Sequence, residues 1–231
     1  APGGAYSRIV VDKEAAEMAR WLNPYGVTVF LLQYRLPGEG HVNGADVPLQ
    51  DGQRAIRIVR QHAKEWGLDP HRIGLLGASA AGHLAASVGA EFNKKVYEPK
   101  DEADTLSARP DFLMLLYPVV TMDSQYTHLE TRDNLLGKDP SADRIDAYSP
   151  DLHVTKDTPP TFIVLADDDP AVPAENSLRY YQALKKSGVP AELHIFKDGS
   201  HGFGIRDTRQ MPVSLWPNLA IDWMKSNAIL K

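Results

Sequence analysis

A serine hydroxyl becomes an effective nucleophile only when a base removes its proton and a third group orients that base. The stretch Arg72–Ser87, RIGLLGASAAGHLAAS, presents such a serine at Ser79. A short apolar run, Ile73–Leu76, suits a buried parallel strand, and the alanines beyond it favour a helix. Between them, Gly77-Ala78-Ser79-Ala80-Ala81 approximates the G-x-S-x-G pattern of a nucleophile turn, where small residues permit a tight, strained backbone. The second glycine of that pattern is Ala81 here, and glycine follows at Gly82. Alanine is still small enough for the helix to approach the strand. The competing role for Ser79 is an ordinary helix N-cap.

A nucleophilic serine in this setting needs an acid and a histidine after later strands, in that order. The run TFIVLA passes directly into DDDPAVP, which puts Asp167, Asp168 and Asp169 at a strand's carboxyl end. The run ELHIF is followed by KDGSHGFG, which puts His201 in a glycine-rich loop after the next strand. Serine, acid and histidine thus converge on one edge of a sheet. Three adjacent aspartates could instead form a solvated turn or a metal site. Neighbouring aspartates point apart, however, and no other ligand cluster lies nearby in sequence. His62 and His83 fall within helices and read as packing or hydrogen-bonding residues. His194 lies on a strand, and His41, His71, His128 and His153 fall in loops without a serine turn beside them. The chemistry also needs backbone N–H groups aimed at developing negative charge. Ala80, following the serine, supplies one, and the loop PGGAY at the start of the chain is the candidate for the rest.

These residues must be positioned by alternating strands and helices. Helices are expected over Lys13–Asn23, Asp51–Trp66, from Ala80 onward, over Glu175–Ser187 and over Met211–Asn227. Buried strands are expected at Val27–Tyr34, around Ile73, and at Phe112–Tyr117, Thr161–Ala166 and Glu192–Phe196. Such alternation implies an α/β fold, a mostly parallel sheet with helices on both faces, whose ligands bind at the strands' carboxyl ends. Two polar stretches, Asn93–Pro110 and Thr121–Pro160, interrupt the alternation and are expected to rim the site. No repeat or linker divides the chain, so residues 1–231 read as one domain.

The 231 residues suffice for a large core, and 43% hydrophobic with 24% charged is ordinary for a soluble globular protein. A formal charge of −5 argues against nucleic acid as the main partner. No run approaches a membrane span. The absence of cysteine excludes disulfides, cysteine catalysis and thiolate metal sites. The opening APGGAYSR has no initiator methionine and no strand ahead of its glycines. It suggests that preceding strands, and any signal region of a secreted or periplasmic protein, lie outside this chain.

Taken together, PGGAYS, NPYGVTVFLLQYRLP, RIGLLGASAAGHLAA, ARPDFLMLLYPVV, DNLLG, TPPTFIVLADDDPAVPAENSL and VPAELHIFKDGSHGFG resemble, in order, blocks of the α/β-hydrolase superfamily. The likeness is to bacterial esterases associated with xylan deacetylation, and it spans nearly the whole chain. It implies Ser79 as nucleophile, His201 as general base and Asp169 as the acid, with Asp168 one position away as the substitute. It further implies an oxyanion hole from the N–H groups of Gly4, Ala5 and Ala80, with Tyr6 lining the acyl or alcohol pocket. The family pattern usually has glycine where Ala5 and Ala81 stand. The implied reaction is hydrolysis of an acyl group, above all acetyl, on a carbohydrate such as xylan, with no metal and no cofactor. The partner is then a small-molecule or polysaccharide ester. Tyr117, Tyr126, Tyr148 and Trp216 are candidate sugar-facing aromatics. A prolyl-oligopeptidase-like serine peptidase and a catalytically impaired carbohydrate-binding protein are the alternatives.

Overall fold

In the computed structural model, residues 1–208 and 210–230 are described. In chain order the elements are α1 (Glu17–Leu22), α2 (Val47–Gln61), β1 (Gly74–Ala78), α3 (Ala80–Glu91), β2 (Phe112–Leu116), α4 (Leu129–Leu136), α5 (Ala142–Ala147), β3 (Thr161–Ala166), α6 (Glu175–Lys186), β4 (Ala191–Phe196) and α7 (Trp216–Ser226). A π-helical turn, Asp12–Ala16, leads into α1.

The strands form a parallel sheet in the order β1-β2-β3-β4. Strands buried on both faces read as near-continuous apolar runs, as FLMLL and, after Thr161, FIVLA do. Alternate side chains then serve two cores. Leu75, Leu113, Leu115 and Ile163 pack with Ile56 of α2, Leu84 and Val88 of α3, and Tyr180 and Leu184 of α6. Met114, Leu116, Phe162, Val164 and Ala166 pack with Met18 and Leu22 of α1 and Ile221 and Met224 of α7. Each fully buried side chain of this size contributes about 1.5–3 kcal/mol, so the sheet is a rigid platform for what its carboxyl ends carry.

Four expectations are corrected. Val27–Tyr34 is not a buried strand: among the described residues it pairs with no neighbouring strand, and Phe30 and Leu31 are each 45% exposed. The edge of β1 that it would need is taken by Ala1, whose amino group donates to the Leu76 carbonyl (2.7 Å) and whose carbonyl accepts from the Ala78 N–H (3.4 Å). A cleft of about 570 Å³ separates Val27–Leu32 from Ile73–Leu76. The second helix starts earlier than expected, at Val47, because Pro48 favours the first turn. The last begins later, at Trp216 with Pro217, after a 3₁₀ turn at Pro212–Leu215. Finally, Asn93–Pro110 packs on α2 instead of rimming the site. Arg54 pairs with Asp101 and Asp104, and Arg60 reaches the Ser107 and Arg109 carbonyls and Asp111. Among the described residues, no helix is long and apolar enough to cross a membrane.

Candidate active site

Ser79 occupies the junction where β1 turns into α3, with φ 54° and ψ −122°. Such a conformation costs a residue bearing a Cβ on the order of 1–3 kcal/mol and persists only where surrounding structure enforces it. Here the Ser79 N–H donates to the Leu116 carbonyl of β2 (3.0 Å). Its own carbonyl accepts from Gly82 (2.9 Å) and Val119 (3.1 Å). Glycine is required on both sides of the turn. A Cβ on Gly77 would lie 2.1 Å from the Ala81 carbonyl oxygen, and one on Gly82 would lie 2.5 Å from the Pro118 Cβ. The methyl of Ala81, where the pattern has glycine, is accommodated with no solvent exposure.

Ser79 Oγ lies 2.9 Å from His201 Nε2, and His201 Nδ1 lies 2.7 Å from Asp169 Oδ2. An ionised carboxylate only accepts, so Nδ1 carries the proton and Nε2 is free to accept from the serine hydroxyl. The Asp169 side chain is 1% exposed and that of His201 24%. The other Asp169 oxygen accepts from the Ala171 and Val172 N–H groups (2.8 and 2.9 Å). Asp168 faces elsewhere: its Oδ1 accepts from the Gly199 and Ser200 N–H groups (2.9 and 2.7 Å), tying down the loop that carries His201.

The chain's opening loop lies against this cluster. A Cβ on Gly3 would come within 2.6 Å of the Ala78 carbonyl and 2.9 Å of the Ser79 Cβ. Gly4, Ala5 and Tyr6 have φ of 130°, 52° and 58°, so two residues bearing a Cβ sit in the left-handed region. Four side chains hold them there. Tyr34 donates to the Pro2 carbonyl (2.9 Å), Glu14 accepts from the Gly3 N–H (2.6 Å), Asn134 of α4 donates to the Ala5 carbonyl (2.8 Å), and Tyr6 bonds His83 (2.8 Å). Among the described residues, the N–H groups of Gly4 and Ala5 donate to no protein acceptor. The N–H of Ala80, first residue of α3, is one of the donors that a helix start leaves unpaired.

His83 is buried and its pKa is lowered to about 4, because desolvation outweighs its bond to the Tyr148 carbonyl. That carbonyl can only accept, so Nε2 donates to it (2.7 Å) and Nδ1 accepts from Tyr6. The Tyr6 ring is 2% exposed and meets Tyr34 edge-on, so its side chain packs under the loop instead of lining a pocket.

The aromatic candidates are also redistributed. Trp216 is fully buried and donates to the Gly204 carbonyl (2.7 Å), and Tyr117 is 1% exposed. Tyr126 lies beneath the Arg179 guanidinium, and Tyr148 donates to Asp46 (2.7 Å). In contrast His128, a loop residue at sequence level, stacks at 6.5 Å from His201. Burial, and then the proximity of His201, lower its pKa. Glu14 and Asn134 carried a fainter signal. Glu14 is a charge on the same helical face as Met18, which ought to be apolar. No group of three or more His, Cys, Asp or Glu side chains among the described residues is placed to hold a metal ion.

A parallel sheet with a strained serine turn after β1, and its aspartate and histidine after β3 and β4, is the arrangement of an α/β-hydrolase. Within that class the chain belongs to the BD-FAE family, which it matches over residues 2–184. The dienelactone hydrolase family matches residues 146–225. An acetylxylan esterase of Xylanibacter ruminicola is 34% identical over 97% of this chain and 44% of its own length. Endo-1,4-beta-xylanase B of Butyrivibrio fibrisolvens is 31% identical over 88% of this chain and 32% of its own. The chain therefore spans less than half of these curated relatives. The crystal structure of an acetyl ester-xyloside bifunctional hydrolase from Caldicellulosiruptor lactoaceticus superposes with a TM-score of 0.91 at 39% identity, covering 100% of this chain and 82% of the other.

Proposed function

We propose that the protein is a serine carboxylesterase that removes acyl groups, acetyl above all, from carbohydrate esters such as acetylated xylan. The observation that carries this reading is the hydrogen-bonded series Ser79–His201–Asp169 at the carboxyl edge of the sheet. Ser79 Oγ attacks the ester carbonyl carbon as its proton passes to His201 Nε2. Asp169 holds the Nδ1 proton and stabilises the imidazolium that forms. Negative charge on the former carbonyl oxygen is met by the N–H groups of Ala80, Gly4 and Ala5, helped by the positive end of α3. Collapse expels the sugar alcohol, which takes the proton from His201, and leaves an acyl-serine. Water, deprotonated by the same imidazole, then releases the acid and restores Ser79. The xylan-related names among the relatives favour an acylated carbohydrate over other esters.

The test compares wild type and Ser79→Ala on 4-nitrophenyl acetate and on acetylated xylan. Loss of about 10⁴-fold or more in kcat for the variant is expected, together with acetate release from xylan by wild type. Ester hydrolysis that survives Ser79→Ala sinks the nucleophile assignment. Hydrolysis of the small ester without acetate release overturns the carbohydrate assignment alone.

A further inference from the structure

Glu14 is 6% exposed, and both of its oxygens are engaged by groups that flank the candidate site. Oε2 accepts from the Gly3 N–H at 2.6 Å, and Oε1 accepts from the Tyr117 hydroxyl at 3.0 Å. Burying a carboxylate is costly unless its oxygens are satisfied in this way. The turn that delivers Glu14, Asp12–Ala16, is π-helical, a geometry that is rare and concentrated at functional sites. Tyr117 is equally constrained. Its φ is 37°, its N–H is fixed to the Val164 carbonyl (2.7 Å), and its ring meets His201 edge-on at 5.1 Å and Phe203 at 4.7 Å. Burial first, and then the Glu14 charge, raise the Tyr117 pKa well above its usual value, so the hydroxyl keeps its proton and donates.

From this geometry we infer that Glu14 and Tyr117 form a positioning pair that locks the Gly3–Tyr6 loop and the His201 loop to one another across Ser79. The inference rests on the esterase reading above and names residues outside the hydrogen-bonded series Ser79–His201–Asp169. Glu14 fixes where the loop starts, because Gly3 spends its N–H on the carboxylate while Gly4 and Ala5 keep theirs free. Tyr117 carries that anchor to the His201 loop through its ring, which meets His201 and Phe203 edge-on and limits the tilt of the imidazole. Removing either partner leaves the serine, the histidine and the N–H donors in place with looser relative positions. That defect slows attack on the carbonyl and leaves substrate binding nearly unchanged, since a misplacement of about 1 Å can cost on the order of 10²-fold in rate.

The experiment measures kcat and KM for 4-nitrophenyl acetate with wild type, Glu14→Gln, Tyr117→Phe and the double variant, and the folded fraction of each by near-ultraviolet circular dichroism. Tyr117→Phe removes a single oxygen and keeps the buried ring, so a folded sample is secured even if the Glu14 variants unfold. Each single variant is expected to lose about tenfold in kcat with KM within about twofold, and the double variant to lose little more than the worse single one, as members of one unit do. Wild-type kcat in folded Tyr117→Phe, losses that merely follow the unfolded fraction, or strictly additive losses would each overturn the pair. Wild type that hydrolyses no ester, or Ser79→Ala that hydrolyses it fully, fails the esterase reading instead, so the two failures are distinguishable.

Discussion

Asp168 and Asp169 are adjacent in sequence and sit in different hydrogen-bond systems. Asp169 reaches the imidazole, and Asp168 holds the Gly199 and Ser200 N–H groups two residues and one residue before it. Asp169→Asn should therefore lower kcat by about 10³–10⁴-fold, because the neutral amide no longer favours the Nδ1–H tautomer or stabilises the imidazolium. Asp168→Ala loosens the loop only, for a loss of about tenfold. A steady-state comparison in which Asp168→Ala is the more damaging change would reverse the two roles. Sequence alone offered three acids because all three follow the same apolar run. What separates them is the direction of a turn fixed by the Ala171 and Val172 N–H groups, a feature with no residue-type signature. Ser79 and His201 were legible because each stands alone among small residues, one in a tight turn and one between glycines. Glu14 escaped for the opposite reason, as one more glutamate in an amphipathic stretch whose importance comes from Gly3 and Tyr117, distant in sequence.

At the scale of elements, the serine turn exists because β1 and α3 approach closely enough to strain it. Gly77 is the test of that statement. Its added Cβ would meet backbone, the Ala81 carbonyl oxygen at 2.1 Å, where no side-chain rotation gives relief. Gly77→Ala is expected to cost about 3 kcal/mol or more, at the upper end of overpacking effects. It should also abolish activity by rotating Ser79 away from His201. Chemical unfolding reads the first effect and a fluorophosphonate labelling rate reads the second. A variant with normal stability and normal labelling would show that the approach is not the source of the strain. The same scale explains what the sequence conveyed of the fold. Strands β2 and β3 were recognisable because near-continuous apolar runs are what two-sided burial demands, β1 from its short apolar run, and β4 from apolar residues alternating with Glu192 and His194. Val27–Tyr34 has the same composition, yet its hydrogen-bond partners depend on which backbone occupies the edge of β1, and composition carries no such information. The helices inside Thr121–Pro160 were hidden by polar surfaces, although His128 and Asn134 from that stretch reach the site.

At the scale of the whole molecule, the His83 bond system links global stability to pH. The ordinary histidine pKa of 6.5 falls to about 4 in the folded chain, chiefly through burial. Between those values the unfolded chain binds a proton that the folded chain does not, so stability falls as pH is lowered through this window and is regained as pH rises. The gap corresponds to about 3 kcal/mol. Below it a second group takes over. Burial of Asp104 acts to raise its pKa, but bonds from Tyr97, the Lys100 N–H and Arg54 outweigh this and lower it to about 2. Its contribution is present above the ordinary carboxylate value and disappears as pH falls towards 2. Asp151 acts in the contrary sense: burial raises its pKa despite Arg179, so it favours the folded state slightly as pH falls through the range just above the usual carboxylate value. The His83 part of the acid limb should thus begin near pH 6.5, well before ordinary carboxylates titrate. In His83→Gln, which can still donate to the Tyr148 carbonyl and accept from Tyr6, that first section should become shallower, the lowered His128 retaining a part of it, while the section below pH 4 persists. Urea unfolding midpoints measured from pH 3 to 8 would show this, and an unchanged slope between pH 4 and 6.5 in the variant would assign the early acid sensitivity to another group.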